Sequence, residues 1–436
     1  MTDPNSHTVP LTAERSPWLR GPVRVPGDRF VSQLALILAG LARGESVIEN
    51  LGGGPAASAT IRVLTGLGVP IAQRAGRWHV QGIGVGGLLT PEGPLDLAGA
   101  GPATSLLIGL LAAHDFESRL ANVAMTEEIV ALLDFLLRNG VAVEHRSGHL
   151  VLRGPRFGIP LDLALSGEAS ALKPPLLLAA LVTTGTSTLR VGSLEPDPAE
   201  RTSAVFGARI GSATDGDGQA LEIEGMAPLR AQAFVVPGDP ALAAYPAVAA
   251  LTAPDSEVTV EALSLDRERF ALIDALQLLG GDIELKNLHP GGKLMADLAA
   301  KHSRLKGAVI PAALPIDPED FAILAIAAAF ADGETVFEGL GEGGRRLALT
   351  RALRANGIEC EEREGGMAVR GARRVPGGGN VTTRLDPKLA MAFLVLGMAT
   401  DQPVTIDDGG VMAELFPDFV SAFEHIGGSF SSDRTR

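Results

Sequence analysis

Two stretches open on the same four residues: VPGDRFVSQLALILAGLARGESVIENL (Val25–Leu51) and VPGDPALAAYPAVAALTAPDSEVTVEAL (Val236–Leu263). Each reads as a strand end, a tight turn, an apolar Ala/Leu helix, a polar turn and an alternating strand. Looser copies of this grammar follow: PLDLAGAGPATSLLIGLLAAHDFESRLA from Pro94, PLDLALSGEASALKPPLLLAALVTTGTSTLRV from Pro160, PIDPEDFAILAIAAAFADGETVFEGL from Pro315, and RLDPKLAMAFLVLGMATDQPVTIDD from Arg384. Their turn aspartates are Asp28, Asp96, Asp162, Asp239, Asp317 and Asp386, spaced by 68, 66, 77, 78 and 69 residues. One sixth of the 436-residue chain is about 73 residues, so six copies fill it.

Each copy has a second half. An amphipathic helix closes on Gly, as in MTEEIVALLDFLLRNGVAVEH from Met125, RFALIDALQLLGGDIELKN from Arg269 and LTRALRANGIECEE from Leu349, and two short strands follow. The repeat is therefore β-α-β-α-β-β, and the fold class is α/β. The first helix of each copy is apolar nearly all round, which requires burial on every side. Three such helices inside three small sheets make one domain. The expected domains are residues 26–238, and residues 1–25 together with 239–436, with a ligand cleft between them.

The composition, 46% hydrophobic and 20% charged, is that of a globular chain. A net charge of −14 argues against a nucleic-acid partner. It also makes an anionic ligand awkward without a local basic cluster. The single cysteine, Cys360, excludes an internal disulfide and a multi-cysteine metal site. No apolar leader is visible at the start, and runs such as 34–41 and 321–330 are too short to span a bilayer. A cytoplasmic location without a membrane partner is expected. His145 and His149 flank Ser147-Gly148, which reads as a hairpin turn and not as a helical metal site. GVGGLL and GLGEGG are Gly-rich but lack the acidic partner of a dinucleotide fingerprint.

The long stretches GPVRVPGD, RWHVQGIGVGGLLTPEGPLD, VVPGDPALAAYPAVAAL, FAILAIAAAFADGETVFEGL, LAMAFLVLGM and LFPDF resemble the EPSP synthase family over nearly the whole chain, particularly its glyphosate-tolerant class. The resemblance implies the two-domain enolpyruvyl transferase fold, an inside-out α/β barrel with three repeats per domain. It implies transfer of the enolpyruvyl group of phosphoenolpyruvate to the 5-hydroxyl of shikimate 3-phosphate, with release of phosphate and without a metal or other cofactor. Arg and Lys would hold the phosphates and carboxylates, and a carboxylate and a Lys would exchange protons with the hydroxyl and the methylene carbon.

Residue by residue, the resemblance places the family's first substrate turn, PGDKS or PGSKS, on Pro26-Gly27-Asp28-Arg29-Phe30, and its following Arg on Leu34. The phosphoenolpyruvate-binding stretch falls on Gly99–Ser105, with Pro102 removing an N–H donor and Ser105 standing at the family's Arg. A cationic pair falls on Glu127 and Glu128. An acid facing a phosphate at contact costs on the order of 4 kcal/mol at an effective dielectric of 20. The Ser-Ala-Gln triplet falls on Ala169-Ser170-Ala171, with Lys173 just beyond, and the catalytic Asp on Glu319. The KESDR segment is shortened, leaving Glu342, Arg345 and Arg346 nearby. The family's DHR becomes Asp386-Pro387-Lys388, and Glu414 replaces a cation shortly before FPDF.

The expected catalytic residues are Glu319, Arg345 and Arg346, and the expected substrate-binding residues are Asp28, Arg29, Lys173, Asp386 and Lys388. Each also has a plain structural role open to it, as helix cap, first-turn acid or surface charge. The lost and reversed cations lead to the expectation of a family member with little or no turnover of the family reaction. It would bind phosphoenolpyruvate, shikimate 3-phosphate or a replacement anion in the same cleft, or act through an unknown protein partner. The alternative is an active 3-phosphoshikimate 1-carboxyvinyltransferase, or a relative with a different acceptor, whose site is rearranged. A third possibility, the UDP-N-acetylglucosamine enolpyruvyl transferases, uses a loop cysteine of the first domain. Cys360 instead falls in an alternating strand of the fifth repeat and reads as a packed thiol.

Overall fold

Asp28 ends the first turn and starts the first apolar helix. Its side chain accepts a hydrogen bond of 2.9 Å from the Val31 backbone N–H and so caps Arg29–Leu41. From Val31 onward every residue of that helix is buried. Two other repeats start the same way. Asp239 accepts from the Ala241 N–H at 2.9 Å ahead of Pro240–Thr252. Asp386 accepts from Lys388 and Leu389 at 3.0 and 3.2 Å ahead of Pro387–Gly397. The other three turn aspartates diverge. Asp96 accepts from the Ala98 N–H and the Asn122 amide in a turn that precedes Ala103–Ala112. Asp162 lies in the strand Asp162–Leu165 and pairs with Arg190. Asp317 precedes a single 3-10 turn, Pro318–Asp320, that runs into Phe321–Ala329.

The structure is a computed structural model that describes residues 8–165, 167–192, 197–215, 218–265, 269–289, 295–341 and 343–432. Its strands form mixed sheets, and a complete repeat shows how they are built. Leu95–Asp96 runs parallel to Ser118–Ala121, which is antiparallel to His149–Arg153, which in turn pairs with Ala142–Arg146. In chain order the strands sit 1-2-4-3, because a helix crosses between the first two and a hairpin joins the last two. The same order recurs in Asp162–Leu165, Gly185–Val191, Gly218–Gly225 and Ile210–Asp215, and in Val309–Ile310, Gly333–Glu338, Gly366–Gly371 and Glu359–Arg363.

The chain divides into two units, Gly27–Val236 and Met1–Pro26 with Pro237–Arg436. In the first unit the opening repeat lacks its own first strand. Leu229–Arg230 and Ala233–Val235 return to run parallel to Ala42–Glu49 and fill that slot. Gly27 permits the closure, since a Cβ there would stand 2.0 Å from the Asn50 carbonyl oxygen. The helices Arg29–Leu41, Ala103–Ala112 and Lys173–Val182 share one buried core.

In the second unit the N-terminal strands complete two sheets. Arg20–Val23 is the parallel first strand beside Glu257–Ser264. Leu11–Glu14 lies between Val404–Ile406 and Ser429–Ser432. The helices Pro240–Thr252, Phe321–Ala329 and Pro387–Gly397 again share one core. Outer helices are amphipathic and end as their sequences require. Glu127–Arg138 closes at Asn139, and Gly140 follows with φ +82°. Among the described residues no helix is long and apolar enough to cross a membrane.

Candidate functional site

In the unit containing residues 237–436, several helix starts converge. Glu319 and Asp320 occupy the 3-10 turn that begins Phe321–Ala329. Asp386 caps Pro387–Gly397, and Lys388 lies in its first turn. Arg345 lies in the first turn of Gly344–Ala355. Lys388 Nζ approaches Glu319 Oε1 at 2.6 Å and Asp320 Oδ1 at 2.5 Å. Arg345 Nε donates to Asp386 Oδ2 at 2.9 Å, and Arg345 Nη1 stands 3.7 Å from Glu319 Oε2. Tyr245, fully buried on Pro240–Thr252, directs its hydroxyl to the Lys388 carbonyl at 3.4 Å.

Solvent reaches these groups unequally. Lys388 and Asp320 are 3% and 4% exposed at the side chain, whereas Glu319 and Arg345 are 31% and 53% exposed. The ammonium therefore sits behind Glu319, and a ligand would meet Glu319 and Arg345 first. Burial, joined by Glu319 and Asp239, outweighs the attraction of Lys388 and raises the Asp320 carboxyl to about 6. Burial alone would weaken the Lys388 ammonium, but Asp320 and Glu319 outweigh it and hold its pKa above the usual lysine range. Burial, with Asp320 and Asp386 close by, pushes Tyr245 far up, so its hydroxyl stays neutral. The arrangement offers an accessible carboxylate, an accessible guanidinium, a locked ammonium and helix N-termini, a set suited to hold an anion and move a proton.

The expected residues are distributed as follows. Glu319, Arg345, Asp386 and Lys388 are brought together. Arg346 turns the other way, its Nε 3.4 Å from Glu362 Oε2 and its Nη1 3.5 Å from the Leu340 carbonyl. Glu342 lies outside the described residues. In the unit Gly27–Val236, Asp28 is a buried cap, and Arg29 is half-buried in the turn after it. Lys173 is engaged with Glu200 at 2.6 Å and Asp197 at 3.1 Å, all in partly or fully buried positions. Burial would lower its pKa, but Asp197 and Glu200 outweigh that and raise it. Asp320 was not singled out from the sequence. Its signal was a second acid directly before the apolar Phe321–Ala329 run.

The unit Gly27–Val236 contains a cavity of about 470 Å³ lined by Phe30, Pro102, Thr104, Ser105, Asn122 and Glu128, among others. Two positions at which the resemblance places cations, Ser105 and Glu128, line it; the others lie elsewhere. Ser105 turns its hydroxyl to the Pro102 carbonyl at 3.2 Å. Glu127 and Glu128 are exposed in the first turn of Glu127–Arg138, capped by Thr126, where acids complement the helix dipole. Leu34 is fully buried in the core, which accounts for an apolar residue there. Glu414 is exposed on the Gly409–Glu414 turn.

Cys360 is half-buried on Glu359–Arg363. Its Sγ lies 3.7 Å from the Thr350 carbonyl, and burial raises its thiol pKa, so it is not activated as a thiolate. His145 and His149 belong to a hairpin turning at Ser147-Gly148, both with positive φ.

The family model described as EPSP synthase (3-phosphoshikimate 1-carboxyvinyltransferase) matches residues 14–423. A 3-phosphoshikimate 1-carboxyvinyltransferase from Chelativorans sp. is 37% identical over 434 residues, covering 96% of this chain and 97% of that protein. One from Rhizobium johnstonii is 37% identical, covering 97% of both. The solved EPSP synthase of Acinetobacter baumannii superposes with a TM-score of 0.82 at 26% identity, covering 98% of this chain and 100% of that one. The enolpyruvyl transferase NikO from Streptomyces tendae, at 19% identity and a TM-score of 0.74, shares the fold.

Proposed function

Since this chain belongs to the EPSP synthase family, we propose that it is an enolpyruvyl transferase acting through a rearranged site. The observation that carries this reading is the convergence of Glu319, Arg345, Asp386 and Lys388 at helix starts. Arg345 binds the phosphate or carboxylate of phosphoenolpyruvate. Glu319 takes the proton of the acceptor hydroxyl as the hydroxyl oxygen bonds to C2 of phosphoenolpyruvate, and passes that proton to C3, which becomes a methyl group. The methyl group then gives a proton back as the C2–O bond to phosphate breaks. The products are an enolpyruvyl ether and inorganic phosphate, so atoms balance without an oxidant or reductant. Lys388 touches no ligand in this scheme. It holds Glu319 and Asp320 in place. The expected ligands are small anions, and the expected setting is the cytoplasm.

The first acceptor to try is shikimate 3-phosphate, the substrate named for the relatives. A second reading, little or no turnover on that acceptor, is favoured by Phe30, Ser105 and Glu128 in the cavity of the other unit. One assay separates the two. Phosphate release from phosphoenolpyruvate plus shikimate 3-phosphate is measured for the wild type and for Glu319→Gln. Transfer predicts release that needs both substrates and falls by roughly a hundredfold or more in the variant. Wild-type release no faster than that of Glu319→Gln leaves the second reading.

A further inference from the structure

The helix Phe321–Ala329 begins beside Glu319 and Asp320 and ends at a separate cavity of about 180 Å³ in the same unit. Its nine residues set the two places about 13 Å apart, at about 1.5 Å per residue. At roughly 30 Å³ per water, the cavity has room for about six waters or one molecule of similar bulk. Ile358, Val375 and Pro376 give it an apolar wall, and the charged side chains among its described lining residues are Glu359, Arg370 and Arg374. The corresponding place in the second repeat is the end of Ala103–Ala112. There the cavity measures about 20 Å³, is lined by Pro155, Gly158 and Ile159 among others, and has no charged side chain among its described lining residues. The repeat supplies a crease, and of these two copies the one at Ala329 is both open and charged.

Strand pairing sets Glu359 opposite Arg370, yet Arg370 Nη1 stands 3.8 Å from Glu359 Oε2, and the two side chains are 76% and 74% exposed. So loose a contact leaves both groups open to a ligand. Arg374 Nη2 meets Asp401 Oδ1 at 3.0 Å, but the same oxygen also takes Arg15 Nη1 at 3.2 Å, so one carboxylate serves two guanidiniums. The cavity thus offers guanidiniums to a carboxylate and a carboxylate to a cation. Two helices end here, at Ala329 and at Ala355, and their carbonyl ends favour an ammonium over a bare anion. An α-amino acid carries both charges on one carbon. We propose that this cavity binds a small aliphatic α-amino acid, its carboxylate at Arg370 and Arg374, its ammonium at Glu359, and its side chain on Ile358, Val375 and Pro376. The proposal goes beyond the transfer reaction and does not depend on it.

Binding to the full chain is followed by NMR at the Ile358 and Val375 methyl groups. The probes are L-valine, isovalerate, which lacks the ammonium, and isobutylamine, which lacks the carboxylate. L-valine is expected to shift both methyls saturably in the millimolar range, and each analogue to bind at least roughly threefold more weakly, the scale of one exposed charge contact. Glu359→Gln should weaken L-valine by a similar factor and leave isovalerate unaffected, whereas Arg374→Gln should weaken both. Both substituted side chains are exposed, and an unchanged melting temperature confirms the fold of each variant. The proposal is overturned by methyls that L-valine does not move at tens of millimolar, by either analogue binding as tightly as L-valine, or by affinities indifferent to both substitutions. Phosphate release is not read here, so a failure of the transfer reaction leaves this outcome unaffected.

Discussion

Lys388 Nζ lies 2.5 Å from Asp320 Oδ1, with Glu319 Oε1 on its other side at 2.6 Å, so one buried ammonium serves two adjacent carboxylates. The two acids follow one another in a 3-10 turn, yet one is buried and the other faces solvent. The pair is the structural base of the accessible Glu319, and its removal should be felt in stability as well as activity.

Lys388→Met leaves the buried Asp320 carboxylate uncompensated, while Glu319 keeps Arg345 and solvent. Breaking a buried pair from one side costs about 3–5 kcal/mol. Urea unfolding at pH 7 is expected to show a loss of this size, and Lys388→Arg is expected to recover much of it. The loss should shrink below about pH 5, where a proton on Asp320 replaces the missing charge. A Lys388→Met protein as stable as the wild type at pH 7 would mean that the lysine is solvated.

Asp320 has its own pH signature. Its carboxyl rises from 3.8 to about 6 on folding, so the folded state holds the proton more tightly than the unfolded state. The sign follows: the contribution of Asp320 to stability is highest below about pH 4, falls as the pH rises through about 6, and is flat above. A rise of this size is worth on the order of 3 kcal/mol. Asp320→Asn cannot titrate, so the wild type minus variant difference should decline across that window. A difference that grows with pH would contradict the burial argument.

Lys173 bonds to Glu200 and Asp197, and those acids cap and open the helix Pro198–Val205. Lys173→Met is expected to destabilise the chain by about 3 kcal/mol. Calorimetric binding of phosphoenolpyruvate by the folded variant should match the wild type. A large loss of affinity with unchanged stability would instead make Lys173 a ligand contact.

Arg384 and Leu385, just before the cap Asp386, both have positive φ, +54° and +63°. Leu385 is 70% exposed, so its side chain gains little from burial there. A left-handed non-glycine residue costs about 1–2 kcal/mol. Leu385→Gly should therefore raise the melting temperature, after a deduction for the greater freedom of glycine when unfolded. Asp386→Ala is expected to lower it through the loss of about 1 kcal/mol of capping stability, whereas Asp386→Asn keeps the cap.

The repeat grammar was legible because it is local. Asp28, Asp239 and Asp386 cap helices three residues or fewer away, and the apolar runs behind them are buried as their composition demands. Glu319, Arg345, Asp386 and Lys388 could be named because the resemblance supplied their positions. Their partners could not. Lys173 meets an acid 27 residues away, and Lys388 one 68 residues away. No periodicity encodes such distances. Arg345 and Arg346 are neighbours that point to Asp386 and Glu362 respectively, because successive helical residues face different directions.

The sequence by itself determined the six-fold repeat, the apolar helices, the acidic balance and the family, since each depends on residue type and spacing along the chain. Only the tertiary structure decided which cations are spent on acids, that Asp320 is buried while Glu319 is not, and that the cavity of the Gly27–Val236 unit holds Glu128 with no lysine or arginine among its described lining residues. Burial and long-range pairing set those outcomes, because the free energy of a charge depends on what surrounds it in space and not on its neighbours in the chain.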